Sequence, residues 1–197
     1  GELVTVKFSG NSASTTADDK GQWQITLPPL DAASKPRRMT IVGKNSIELE
    51  DILVGEVWLG SGQSNMEMPL AEAAGAEEAI AAADHPRVRL FHITHAQSPQ
   101  PADDVDAAWK PCSPESVATF SAALYFFGQQ LQEELHVPIG LINASWGGSP
   151  IEQWTAMPDK NGQMYNGMVA PLVPFAIRGV TWYQGERNVS TNQGMEY

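Results

Sequence analysis

The sequence predicts an α/β protein: a parallel sheet with flanking helices, preceded by a smaller β-rich module. Three observations predict it. Apolar, β-branched runs of strand length recur at Val54–Leu59, Arg87–Ile93, Ile139–Ala144 and Gly179–Tyr183. Helix-forming stretches separate them, and strands that alternate with helices favour a parallel sheet wound by right-handed crossovers. The first fifty residues, by contrast, hold only short alternating runs with polar connections.

In those first fifty residues Val4, Val6 and Phe8 alternate with polar neighbours, as do Trp23, Ile25 and Leu27, and Met39-Thr40-Ile41-Val42 makes a third short run. Asn11 to Gly21 is polar and reads as a turn-rich connection. Residues 1–50 are therefore expected to form a partial β-sandwich-like module. It has two readings, a carbohydrate-binding unit or a packing scaffold, and the scaffold is the default because a fold alone licenses no function. Residues 51–197 are expected to form the α/β domain. Its first strand is Val54–Leu59, and the Ala- and Glu-rich run from Glu67 to Ala83 reads as a helix stopped at Asp84-His85-Pro86. Residues 95–118, broken by Pro99, Pro101, Pro111 and Pro114, read as a long loop walling a cleft. Leu124, Phe127, Leu131 and Leu135 recur at steps of three and four, which predicts a helix over Ser121–Leu135 that Pro138 keeps from continuing. A short helix is expected between Met164 and Ala170.

The 197 residues suffice to bury a sizeable core, and the formal net charge is −11. That charge disfavours nucleic acid and anionic membrane surfaces as partners, and no apolar run reaches transmembrane length. Cys112 is the only cysteine, which leaves neither an internal disulfide nor a cysteine-rich zinc site. The chain opens on Gly1-Glu2-Leu3 and reads as a trimmed or processed piece. The sequons at Asn143 and Asn188 fall inside the candidate site and read as coincidence.

In a parallel sheet, ligands collect outside the carboxyl ends of the strands. Three stretches follow such ends and are therefore expected to converge: Gly60 to Met66, Ser145 to Glu152, and Trp182 to Glu186. A serine at a strand-to-helix turn has its hydroxyl lifted clear of the sheet, with helix N–H groups at hand for an oxyanion. Ser64 fits that position, and it equally fits an ordinary helix N-cap. Gly147 and Gly148 offer backbone donors that no side chain shields, or else a plain turn. Gln184 brings an amide able to donate. Glu152 and Glu186 are the nearest carboxylates. A glycosidase would need such a pair flanking its scissile bond, whereas accepting hydrogen bonds that hold loops is the more ordinary role. Trp146, Trp154, Trp182 and Tyr183 crowd the same region, as core or as a sugar platform.

Gly62-Gln63-Ser64-Asn65-Met66, followed in order by Ser145-Trp146-Gly147-Gly148-Ser149-Pro150-Ile151-Glu152 and Trp182-Tyr183-Gln184-Gly185-Glu186, resembles the sialate O-acetylesterase-like branch of the SGNH hydrolases. The resemblance runs from about Gly21 to the last residue. It implies a flavodoxin-like parallel sheet and a serine-nucleophile carbohydrate O-acetylesterase that needs no cofactor and no metal. The implied substrate is O-acetylated sialic acid, with acetylxylan or another glycan as the alternative, and the implied location is extracytoplasmic. It further implies Ser64 as nucleophile, with oxyanion donors at Ser64, Gly148 and Gln184; the wider group has asparagine where this chain has Gln184. Gln63, Asn65, Trp146, Glu186 and Arg187 become binding or supporting residues, Arg187 being suited to a sialate carboxylate. A non-catalytic glycan-binding module on the same fold is the alternative function.

The family places a histidine base, with an acidic residue a few positions before it, after its last strand. His85, His92 and His136 do not fit that place, and His95 is the only histidine on the plausible side of the sheet. The base and its acidic partner are therefore expected after Tyr197 or on a companion chain. On this reading the domain is incomplete, and the remainder of the same protein joins it as a C-terminal segment or second polypeptide.

Overall fold

The computed structural model describes residues 1–156 and 162–190. The chain divides into two compact units, Gly1–Gly55 and Glu56–Tyr197. The last part of the expected α/β domain, residues 191–197, lies outside the described residues.

In the first unit β1 (Leu3–Phe8), β2 (Asn11–Thr16), β3 (Ala33–Val42) and β4 (Ser46–Val54) form one antiparallel sheet in the order β2-β1-β3-β4. Val4, Val6 and Phe8 are buried, as their alternation requires. The strand expected at Trp23–Leu27 is absent, and the polar Asn11–Thr16 takes its place beside β1. The cause is the turn. Ser9 and Gly10 both hold positive φ, 51° and 79°, so a two-residue turn folds Asn11 back opposite Phe8. Pro28-Pro29, directly after Leu27, also offer no ladder donor that could extend the expected strand.

The second unit is built on β5 (Glu56–Gly62), β6 (His85–His92), β7 (Trp109–Cys112), β8 (Ile139–Ser145) and β9 (Gly179–Tyr183), in the order β7-β6-β8-β5-β9. β6, β8, β5 and β9 run parallel, and β7 joins the edge antiparallel to β6. Along the parallel part the strands follow in chain order second, third, first, fourth. The expected flavodoxin-like arrangement puts the first strand between the second and third. Here β8 inserts between β6 and β5 instead. Both faces of the sheet are covered: Leu141 packs with Leu124, Tyr125 and Met66 on one side, and its neighbour Ile142 packs with Ile93, Leu59 and Met168 on the other. Successive strand residues are thus both buried, the mark of a strand sandwiched between layers.

The helices are α1 (Ser64–Glu67), α2 (Ala76–Ala81), α3 (Pro114–Val117), α4 (Ala122–Leu135) and α5 (Glu186–Ser190). The single helix expected over Glu67–Ala83 is broken into pieces. Pro69 lacks a donor, and the neighbouring backbone bonds sideways: Leu70 N–H to Phe120 O at 2.8 Å, Ala71 N–H to Ala118 O at 3.0 Å and Ala122 N–H to Met68 O at 2.9 Å. Gly75, at φ 74°, then starts α2 afresh. The expected loop over 95–118 likewise contains β7 and α3, the latter closed by a Ser113–Ser116 capping box. α4 matches its periodicity, with Ser121 accepting the Leu124 N–H as N-cap. Between Met164 and Ala170 lies a wide helical turn, Tyr165–Val169. Cys112, at the end of β7 opposite His85 of β6, is buried, and burial, with the negative charge of Asp84, pushes its thiol up to about 11. Among the described residues no helix is long and apolar enough to cross a membrane.

At the carboxyl end of β5 the backbone itself is the packing surface. Gly62 holds φ 141°, and a Cβ there would lie 2.1 Å from Tyr183 O. Gly62→Ala is therefore expected to destabilise the protein by at least about 1–3 kcal/mol, the range for a residue forced into such a backbone region. The midpoint of urea denaturation measures it; an alanine variant as stable as wild type would show that the β5–β9 junction relaxes freely.

Candidate active site

Three strand ends meet at this glycine. The Trp146 N–H after β8 donates to Gly62 O at 3.0 Å, and the Gln63 N–H after β5 donates to Tyr183 O, the last residue of β9, at 3.0 Å. The three stretches singled out in the sequence therefore converge at the carboxyl edge of the sheet. Gln63, not Ser64, occupies the N-cap position of α1, and it makes no side-chain cap bond. Ser64 is the first helical residue, exposed, and its hydroxyl has no hydrogen-bond partner among the described residues. The N-cap reading of Ser64 is thereby set aside: the side chain is presented to solvent and holds no part of the turn.

Gly147 lies against the serine, since a Cβ at Gly147 would come within 3.6 Å of Ser64 Cβ. Its N–H is already taken, donating to Glu67 Oε2 at 2.6 Å. Gly148 differs. It holds φ 72°, nothing stands within 4 Å of where its Cβ would be, and its N–H meets no acceptor among the described residues. The same is true of the Ser64 N–H, which heads α1. Two unspent backbone donors and one unspent hydroxyl thus share one corner of the edge.

Glu67 is a residue that the sequence reading passed over. Its other oxygen, Oε1, pairs with His95 Nε2 at 2.6 Å, and the imidazole lies flat on Trp146, ring centres 4.1 Å apart and planes 6° apart. One carboxylate thus ties the serine's helix to the loop after β8 and to the end of β6. His95 is the histidine on the plausible side, but its Nε2 is committed to Glu67. The other three stand elsewhere: His85 faces the Tyr125 hydroxyl at 3.4 Å, His136 is the left-handed C-cap of α4, and His92 lies edge-on to Phe120.

The third stretch docks through both neighbours of Ser64. Gln63, buried, accepts the Arg187 N–H at 3.2 Å, and Asn65 Nδ2 donates to Glu186. The Arg187 side chain is exposed. Gln184 Nε2 donates to Asn188 Oδ1 at 2.6 Å and to Ser149 O at 3.3 Å, so its amide donors are engaged by protein in this structure. Asn188, buried at 4 % exposure, is the hub there: Oδ1 also accepts the Ile151 N–H at 2.9 Å, and Nδ2 donates to Glu152. Ser149 Oγ donates to Trp146 O at 2.6 Å and accepts from Trp154 Nε1 at 2.8 Å, while Trp154 meets Trp182 edge-on. Glu152 and Glu186 therefore each hold an asparagine side chain. Asn143 and Asn188, the two sequon asparagines, are both buried. Among the described residues no group of three or more His, Cys, Asp or Glu is placed to hold a metal ion.

The sequence model of a family described as carbohydrate esterase, sialic acid-specific acetylesterase, matches residues 54–197. The sialate O-acetylesterases of Pongo abelii and Homo sapiens are each 31% identical over 204 residues, covering 86% of this chain and 39% of theirs. That of Mus musculus is 28% identical, covering 88% of this chain and 43% of its own. A crystal structure of a carbohydrate acetylesterase from Xanthomonas citri superposes with a TM-score of 0.90 at 37% identity, over 95% of this chain and 46% of that one. The chain thus spans about two fifths of the length of these curated relatives.

The Glu67 bridge has a measurable consequence. Glu67→Ala should remove the acceptor of the Gly147 N–H and raise its amide exchange rate roughly tenfold, as expected for losing a charge-assisted hydrogen bond at a partly exposed site. Glu67→Gln, which keeps a carbonyl oxygen, should retain most of the protection. Exchange at Gly147 that is unchanged in the alanine variant would show that the loop is held by its other contacts.

Proposed function

Since the chain belongs to the sialic acid-specific acetylesterase family of carbohydrate esterases, we propose that it carries the nucleophile and oxyanion side of a carbohydrate O-acetylesterase of the SGNH hydrolase group. The observation that supports this best is the corner just described: an exposed serine hydroxyl without a partner, beside the unspent N–H groups of Ser64 and Gly148.

Ser64 Oγ attacks the acetyl carbon, its proton passes to a base, and the carbonyl electrons move to oxygen. The Ser64 and Gly148 N–H groups receive that oxyanion. Gln184 acts as third donor by exchanging its longer bond, 3.3 Å to Ser149 O, for the oxyanion. Collapse of the intermediate expels the sugar oxygen, which takes up the proton from the base to become a hydroxyl, and water then frees acetate from Ser64. Trp146, Gln63, Asn65 and Glu186 support the corner, and Arg187 meets the carboxylate of an acidic sugar. The base and its acidic partner lie after Tyr197 or on a companion chain in this reading. It is supported by the commitment of His95 Nε2 to Glu67, by the places of His85, His92 and His136 and by the greater length of the relatives. O-acetylated sialic acid is the proposed substrate, in line with the relatives named sialate O-acetylesterase, and an acetylated xylan or other glycan is the alternative. The first unit contributes none of these residues.

Two substitutions in the full-length protein test the assignment. Ser64→Ala should abolish acetate release from O-acetylated sialic acid and leave the melting temperature nearly unchanged, because the hydroxyl caps nothing. Retained turnover would move the nucleophile elsewhere. Gln184→Ala should lower kcat about 10²–10³-fold with little change in KM, as for the loss of one oxyanion donor. A rise in KM at constant kcat would place Gln184 among the groups that bind the sugar.

A further inference from the structure

A cavity of about 660 Å³ opens beside this corner, and nothing in the proposed chemistry uses it. We propose that it is a subsite for a second, non-reacting sugar residue of the glycan whose acetyl group reaches Ser64; this rests on the carbohydrate O-acetylesterase reading. Position comes first. The wall nearest the serine is the Glu67–His95 pair, and Glu67 sits one helical turn after Ser64. Residues at that spacing have Cβ atoms about 5–6 Å apart, so the cavity begins where the next ring of a bound glycan would lie.

The lining argues for a sugar. Its floor is apolar, formed by Leu90, Ile93 and Phe120, all but fully buried. Its rim is polar and exposed, formed by Asp106, Lys110 and Thr119. A pyranose has an apolar face and a hydroxyl edge: above that floor the half-buried Ala107 and the exposed Ala108 offer apolar surface to the one, and the rim faces the other. The volume lies within the ordinary range for small-molecule sites, about 300–1,000 Å³. A polyanion would meet Glu67 and Asp106, and a purely apolar ligand would leave the rim unused. Ser116 also borders the cavity, but its hydroxyl already donates to Pro111 O at 2.6 Å and is not counted as a donor to the ligand. His92 completes the wall. Desolvation and the neighbouring His95 hold it below its ordinary pKa, against an opposing pull from Glu67 and with Lys110 adding to the fall. A neutral imidazole both donates and accepts, as a hydroxyl-bearing ligand requires.

The test compares three substrates of the full-length protein: O-acetylated sialic acid, the same sugar linked to galactose, and 4-nitrophenyl acetate. Lys110→Ala, Asp106→Ala and Thr119→Val, each made singly on the exposed rim, should raise KM for the disaccharide about threefold to tenfold, the effect of one lost hydrogen bond. KM for the monosaccharide and kcat/KM for 4-nitrophenyl acetate should not move. Equal losses on all three substrates would show that the rim acts through the fold, and no loss on any would show that the cavity takes no sugar; either overturns the subsite. Wild-type protein that hydrolyses 4-nitrophenyl acetate but neither sugar would overturn the sialic acid assignment, and the subsite read with that substrate falls with it.

Discussion

The candidate site depends on how closely three backbones approach at Gly62. β5 ends there with its carbonyl accepting from the loop after β8, while the next N–H reaches the last residue of β9. The oxygen of Tyr183 stands where a side chain would begin. Because the contact is backbone to backbone, it fixes the three strand ends with no long side chain whose rotamers could blur the geometry. Ser64 follows two residues later on a helix of a single turn. Its placement is inherited from the sheet and owes little to helix stability, since so short a helix has almost none of its own.

Around this junction the polar side chains fall into two sets with different duties. On the β6 side Glu67 makes one carboxylate bridge, partly open to water, between helix, loop and imidazole. On the β9 side Asn188 collects Ile151, Glu152 and Gln184 in a buried network. Buried networks are stabilising only when each member is satisfied, which makes Asn188 hard to replace even though it touches no reacting atom in the proposed chemistry. Gln184 belongs to both worlds, since the amide assigned to the oxyanion is the one that completes the network.

Much of this was legible in the sequence, and the rest failed for identifiable reasons. β8 and α4 announce themselves because apolar pattern and burial coincide there, whereas β9 is legible from its apolar, β-branched composition although Val180, Trp182 and Tyr183 are exposed. β2 is polar throughout, so only its turn betrays it, and the Ser9-Gly10 pair was the available signal. The run after Glu67 has helix-forming composition, yet Pro69 and three sideways backbone bonds override it. The insertion of β8 between β6 and β5 cannot be read from local pattern, because strand order is set by long-range packing. The convergence of the three stretches was legible, being a general property of parallel sheets. Glu67 and His95 were not paired, because 28 positions separate them and only the sheet order brings them together. Two spacings did carry information: Glu67 falls one turn after Ser64, and Asn188 falls four residues after Gln184.

The solitary thiol has a practical corollary. Cys112 is 1 % exposed and holds its proton up to about 11, so near pH 7 only about 10⁻⁴ of it is thiolate. Maleimide and iodoacetamide reagents attack thiolates they can reach, and this one offers neither charge nor access. Within this chain, any cysteine engineered onto an exposed loop would then be the only competitive thiol. A fluorophore or spin label on the cavity rim reports ligand arrival in a background the native sequence keeps dark.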